Sequence, residues 1–225
     1  MNEGDDTFAA RRRSMVDLQI HARGIRDPAL LAAMRDVPRH EFVAASLRRD
    51  AYEDTPLPIE ERQTISQPYI VALMLEAAQI GARDRVLEVG AGSGYASAVA
   101  SRLAAHVDAI ERHPSLVELA RERLARLGFA NVDVHGGDGS VGWPQGAPYD
   151  AIVVAAAGPR VPAALREQLA VGGRLVMPVG DEHRTQRLVR LVRHDADRFS
   201  ETDLGGVMFV PLVGAQGWRA GSDDA

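Results

Sequence analysis

The sequence predicts an α/β fold built on a doubly wound, mostly parallel sheet, and three observations carry that prediction. Short apolar runs alternate with helix-length amphipathic runs from residue 85 to residue 179, Gly and Pro punctuate the joins, and the first strand, VLEV, enters a turn containing Gly90, Gly92 and Gly94. Strands separated by helices pair in parallel through right-handed crossovers, which place helices on both faces of the sheet.

Residues 1–14 and 219–225 are polar and short of large apolar side chains, so they are expected to be disordered, leaving a single domain over 15–218. Within it, residues 15–80 form N-terminal helices and a loop, and residues 81–218 form the sheet. Asp27-Pro28 pairs an N-cap residue with proline at the first helical position, and Val37-Pro38 ends the helix that follows. The stretch AYEDTPLPIEERQTIS lacks periodicity and reads as a loop lying over something. From Pro68 the chain is helical until Gly81. Strand 85–89, helix 95–104, strand 107–111, helix 114–127 and strand 132–135 follow. In the 114–127 helix Leu116, Leu119, Ala120, Leu124 and Leu127 make one apolar stripe. Strand 150–155, helix 162–169 and strand 174–179 repeat the pattern. RLVRLVRH and VMFVPL then read as strand returning on strand, an antiparallel edge.

The 225 residues are 46% hydrophobic, enough for a real core. Cysteine is absent, which excludes disulfides, thiolate metal sites and a cysteine nucleophile. The longest apolar run, AIVVAAA, is too short to span a bilayer, and the N-terminus has no apolar signal region. The expectation is a cytoplasmic protein with no membrane partner. Net charge is −5 and the only basic cluster is Arg11 to Arg13, which argues against nucleic acid as a partner. The seven histidines show no metal-ligand spacing, so no metal is expected, and His40 reads as structural. GxSxG is not satisfied around Ser93, which disfavours a serine hydrolase.

The glycine turn is the main chemical clue. Glycine lets backbone N–H groups approach a ligand and tolerates positive φ. A dinucleotide GxGxxG would need Gly or Ala where Tyr95 or Ser97 stands. ExGxGxG, here Glu88 through Gly94, instead resembles the class I, Rossmann-like S-adenosylmethionine-dependent methyltransferases. Glu88 is placed to face the ligand's ammonium or the turn that holds it. Glu111, at the tip of the next strand, is placed for the ribose hydroxyls, since a carboxylate accepts from two at once. Asp138, between Gly137 and Gly139, either accepts from an adenine amine or is simply a turn residue.

Read with TISQPYIVALM before the turn and FVPLVGAQGW after it, the chain resembles the protein-L-isoaspartate O-methyltransferases. The likeness runs from Met15 to Trp218 through QIHARGI, VPRHEFV, AYEDTPLPI, QTISQPY, DRVLEVGAGSGY, GDGS with GWP, APYDAIVV, GGRLVMPVG and FVPL. It implies Ser66 as the active-site residue, with Gln63, Thr64 and Ile65 lining the cofactor S-adenosyl-L-methionine, and Glu88, Gly90, Gly92, Glu111, Asp138 and Gly139 matching the cofactor-binding pattern. Ser66 just before Pro68 is also where a helix N-cap belongs, and both roles can hold. The implied substrates are isoaspartyl peptides or proteins. The implied product is a methyl ester whose methoxy group the neighbouring backbone nitrogen displaces to close a succinimide. A monomer is expected. Two alternatives remain: a carboxyl methyltransferase dedicated to one peptide or small substrate, and a non-catalytic recognition module. The chain departs from the family's Ile-Gly-x-Gly, with Glu60, Glu61 and Arg62 after Ile59, and Val71, Val213 and Gly217 replace polar contacts of some relatives. Arg62 is expected to pair with Glu60 or Glu61.

Overall fold

The computed structural model describes residues 3–181 and 185–219. It opens with α1 (Glu3–Ser14), which continues through a π-helical stretch, Met15–Ile20, and then α2 (Pro28–Asp36). Asp27 caps α2 by accepting from the amides of Ala29 and Leu30 at 2.8 and 3.2 Å. Helix α1 stands where disorder is expected for residues 1–14. Three side chains account for the difference. The Phe8 ring stacks on His40 with centroids 4.2 Å apart, Arg12 Nε donates to Arg35 O at 2.6 Å, and Arg11 pairs with Glu53 at 2.9 Å. The composition of the segment is polar, but Arg11 and Arg12 reach fixed partners and its one aromatic ring has a buried neighbour. Of the residues 219–225, only Arg219 lies within the described structure.

The loop over 51–66 contains a two-residue antiparallel hairpin, β1 (Leu57–Pro58) with β2 (Thr64–Ile65), closed by Glu60–Arg62. Helix α3 (Pro68–Ala78) follows. Next come β3 (Arg85–Val89), α4 (Tyr95–Ser101), β4 (His106–Glu111), α5 (Pro114–Arg126) and β5 (Val132–Gly136). β6 (Tyr149–Val154), α6 (Ala163–Gln168), β7 (Leu169–Gly180), β8 (Gln186–Arg193) and β9 (Phe199–Val207) complete the order. The main sheet runs β5-β4-β3-β6-β7-β8-β9; its first five strands are parallel, β8 pairs antiparallel with β7, and β9 pairs antiparallel with β8.

Period-two alternation sends side chains into two cores. Val86, Val107, Ala109, Ala151, Val153 and Val176 face the helical layer made by α2, α3, α4 and α5. Leu87, Val89, Ile110, Ile152, Val154, Leu175 and Met177 face α6 on the other side. By the same alternation Glu88 and Glu111 point to the first face, at the carboxyl ends of their strands.

The last strand differs from expectation. VMFVPL belongs to the sheet only at Val207, and the edge strand is the polar Phe199–Val207. Sheet edges take polar residues because one face is wet, whereas the apolar 208–212 segment turns across the carboxyl ends of the strands. There Ala157 N donates to Val210 O at 2.8 Å and Leu212 N donates to Ala157 O at 2.7 Å.

Candidate active site

β3 lies between β4 and β6, so the chain departs in opposite directions from the two sides of β3. A crevice opens at such a switch point beyond the strands' carboxyl ends. Here it is a cleft of about 1360 Å³, larger than the roughly 300–1,000 Å³ of a single small-ligand pocket. Four segments wall it: the β2 hairpin, the glycine turn, the end of β4, and residues 206–213.

Gly90, Gly92 and Gly94 have φ of +91°, +52° and +87°, which a side chain would resist. The amides of Gly90 and Ala91 donate to Ile110 O at 2.8 and 3.1 Å, tying the turn to β4. Gly90 and Gly92 line the cleft, but Gly94 does not. Gly94 begins α4 and faces α5, where a Cβ would lie 3.4 Å from Leu124 Cδ1.

Glu111 accepts from Gly92 N at 2.9 Å through Oε2 and from His113 N at 3.0 Å through Oε1. Each oxygen keeps a second lone pair for a ligand hydroxyl. Glu88 is buried beneath α4, where the Ser97 hydroxyl donates to it. Burial pushes its pKa up to about 8, with the Ser97 bond opposing and Glu111 adding to the shift. Its bond to α4 supports the turn.

Asp138 is not among the cleft's lining residues, whereas Gly139 is. A Cβ at Gly139 would sit 2.4 Å from Val89 Cγ1, so only glycine allows this approach. Asp138 Oδ1 accepts from Ser140 N and Oγ at 2.9 and 2.7 Å, and Oδ2 accepts from Ala215 N at 2.7 Å. Burial would raise its pKa, but the Ala215 and Ser140 bonds hold it below the ordinary value. One lone pair of Oδ2 remains open.

Gln63, Thr64, Ile65 and Ser66 all line the cleft. Gln67, not Ser66, stands at the N-cap of α3, with no side-chain cap bond, so the capping role of Ser66 is overturned. The Ser66 hydroxyl has no hydrogen bond among the described residues. The geometry leaves it free to meet a ligand. Arg62 also lines the cleft, and its expected pairing is absent: Glu60 lies 3.6 Å from Arg123 and Glu61 accepts from Ser115 Oγ. Val71 and Val213 are cleft residues; Gly217 is not.

Sequence reading missed Gln186, which clamps the cleft's outer wall. Buried at the start of β8, it donates through Nε2 to Phe209 O at 3.0 Å and accepts from Phe209 N at 2.7 Å. An apolar run needing an amide partner was the only available signal. His40 shares a 2.6 Å hydrogen bond with the Tyr52 hydroxyl and is buried. At the other end of β4, His106, Asp108 and Asp133 bring ligand-type atoms within 4.8 Å of one another. Asp108 is already bonded there to Arg85, His135 and Tyr149.

Residues 10–217 match the protein-L-isoaspartate(D-aspartate) O-methyltransferase family. Protein-L-isoaspartate O-methyltransferase 1 of Rhodopseudomonas palustris is 58% identical over 214 residues, covering 95% of this chain and 87% of that protein. The enzyme of that name from Protochlamydia amoebophila is 54% identical over 208 residues, covering 92% and 99%. Among solved structures, a protein-L-isoaspartate O-methyltransferase superposes with TM-score 0.83 at 31% identity, over 91% of this chain and 67% of the other. A Plasmodium falciparum homologue described as a beta-aspartate methyltransferase, in complex with S-adenosyl-L-homocysteine, gives TM-score 0.78 at 25% identity over 90% and 98%. With a class I sheet, a glycine turn at its switch point and a matching sequence over nearly its whole length, the chain belongs to the protein-L-isoaspartate O-methyltransferase family.

Proposed function

We propose that the cleft seats S-adenosylmethionine along the glycine turn and an isoaspartyl peptide against the β2 hairpin, with Ser66 between them. The activity is S-adenosylmethionine-dependent protein-L-isoaspartate O-methylation. The observation that carries the site assignment is the convergence of Ser66, Gly90, Gly92 and Glu111 on one cleft.

The bound cofactor supplies an electrophilic methyl group. The protein's own residues hold and orient. Glu111 offers its two open lone pairs to vicinal hydroxyls, and Asp138 offers one to an exocyclic amine, while Gly139 allows close approach. Gln63, Thr64 and Ile65 line the donor side. The acceptor is an α-carboxylate of pKa about 3.5, already ionised at neutral pH, so no general base is needed. Ser66 donates to one carboxylate oxygen and leaves the other to react. Alignment of this kind can contribute roughly 7–11 kcal/mol. The methoxy group of the product ester leaves far more readily than the oxygen of a carboxylate, so the neighbouring backbone nitrogen can attack the ester carbonyl and expel methanol to form a succinimide.

Methanol release from an isoaspartyl peptide, assayed with wild type and Ser66→Ala, tests the assignment. Because Ser66 neither caps α3 nor bonds elsewhere, the variant's thermal midpoint should stay within about a degree while turnover falls by about 10²-fold or more. Turnover near wild type would reject Ser66 as the carboxylate partner. We further propose a cytoplasmic monomer, a reading that the cysteine-free sequence suits. The exposed large apolar residues Leu18, Val171 and Met208 lie on separate segments. Sedimentation of the purified chain would check the oligomeric state.

A further inference from the structure

Arg62 sits exposed at the mouth of the cleft at φ +55°, directly after Glu61 at φ +56°. Left-handed backbone is costly for a residue that bears a side chain, and it persists only where the surroundings impose it. The restraint is visible here. Glu61 accepts from Ser115 Oγ and lies 3.8 Å from His113 Nδ1, while Glu60 lies 3.6 Å from Arg123 Nη2. Both acids are drawn onto the α5 side. Arg62 is left with no hydrogen bond or ion pair among the described residues. Arg112 lines the same cleft, so two arginines border it although the chain's net charge is −5.

A guanidinium held over a binding cleft by strained backbone, with its nearby acids engaged elsewhere, is suited to a ligand carboxylate. The methyl-accepting carboxylate is the poorer partner. Pairing would stabilise that anion relative to the neutral ester and so oppose the reaction. An exposed side chain at the mouth instead meets residues of the substrate that stay outside the cleft. We propose that Arg62 is a specificity-determining residue that takes the carboxylate of an Asp or Glu flanking the isoaspartyl residue, so that this enzyme favours damaged sites in acidic sequence. The inference rests on the reading of the cleft as the peptide-methylating site.

Two isoaspartyl peptides, identical except for Glu or Gln on both sides of the isoaspartyl residue, test it with wild type, Arg62→Gln and Arg62→Gly. The glycine variant suits the left-handed backbone, which guards against a folding artefact. Wild type should favour the Glu peptide about fivefold in kcat/KM, through KM, as a well-placed exposed ion pair would give. The ratio should fall to near one in both variants and, for wild type, in high salt. Equal use of the two peptides by wild type, or a preference kept in both variants, overturns the role of Arg62 and leaves the methylation activity standing. Methylation of neither peptide by wild type would overturn the site reading and this inference together.

Discussion

Burial beneath α4 gives Glu88 an ionisation that a glutamate in water would not have. Its pKa moves from 4.5 to about 8 on folding, so across that window the folded chain holds a proton that the unfolded chain releases. Stability from the neutral carboxyl is therefore fully present below about pH 4.5 and is lost as pH rises through about 8. Glu88→Gln keeps the neutral shape and removes the titration. Urea unfolding should show wild type losing stability relative to the variant as pH goes from about 5 to about 8.5. Parallel profiles would mean that the folded carboxyl is ionised at neutral pH. Glu111 has the complementary role, since its two oxygens brace Gly92 and His113 while leaving lone pairs for a ligand. Glu111→Ala should weaken S-adenosylhomocysteine binding by about thirtyfold, near 2 kcal/mol. Unchanged affinity in calorimetry would remove Glu111 from the cofactor site.

At the scale of elements, the outer wall of the cleft is apolar chain held by polar clamps. Gln186 fixes Phe209 through two backbone bonds, and Trp218 Nε1 fixes the following loop by donating to Ala157 O at 3.0 Å. Gln186→Ala leaves both backbone groups of Phe209 without their partner, a loss of roughly 2 kcal/mol. Amide exchange should accelerate over 206–213 and cofactor affinity should fall, while the parallel strands keep their protection. Exchange unchanged in that segment would show that other contacts hold the wall. These clamps explain which elements the sequence makes legible. The parallel strands and α5 carry strong apolar periodicity, so their positions follow from local pattern. VMFVPL is equally apolar but packs across strand ends, and pattern alone cannot distinguish a strand from an apolar lid. α1 is hidden for the opposite reason: its order comes from partners at Arg35, His40 and Tyr52, more than twenty residues away in sequence. Likewise the glycine turn announces Gly90 and Gly92, whereas the freedom of Arg62 depends on partners that Glu60 and Glu61 find on α5 and beside it.

For the whole molecule, the cleft is where otherwise separate parts meet: the hairpin that precedes the sheet, the switch point at β3, and the segment that follows β9. A ligand bridging them should resist global unfolding and do more than order one loop. A ligand that binds only the folded state at about 100 times its Kd adds roughly 2.7 kcal/mol of stability. In a domain of this size each kcal/mol moves the thermal midpoint by about 2–4 °C. S-adenosylhomocysteine at that excess should therefore raise the midpoint by about 5–10 °C. NAD at the same concentration should not, because Tyr95 and Ser97 occupy the positions where a dinucleotide turn needs glycine or alanine. The shift should also shrink in Gln186→Ala, where the outer wall is released from one side of the ligand. Equal shifts from the two ligands would contradict the assignment of the glycine turn, and a full shift in Gln186→Ala would show that residues 206–213 contribute nothing to holding the cofactor.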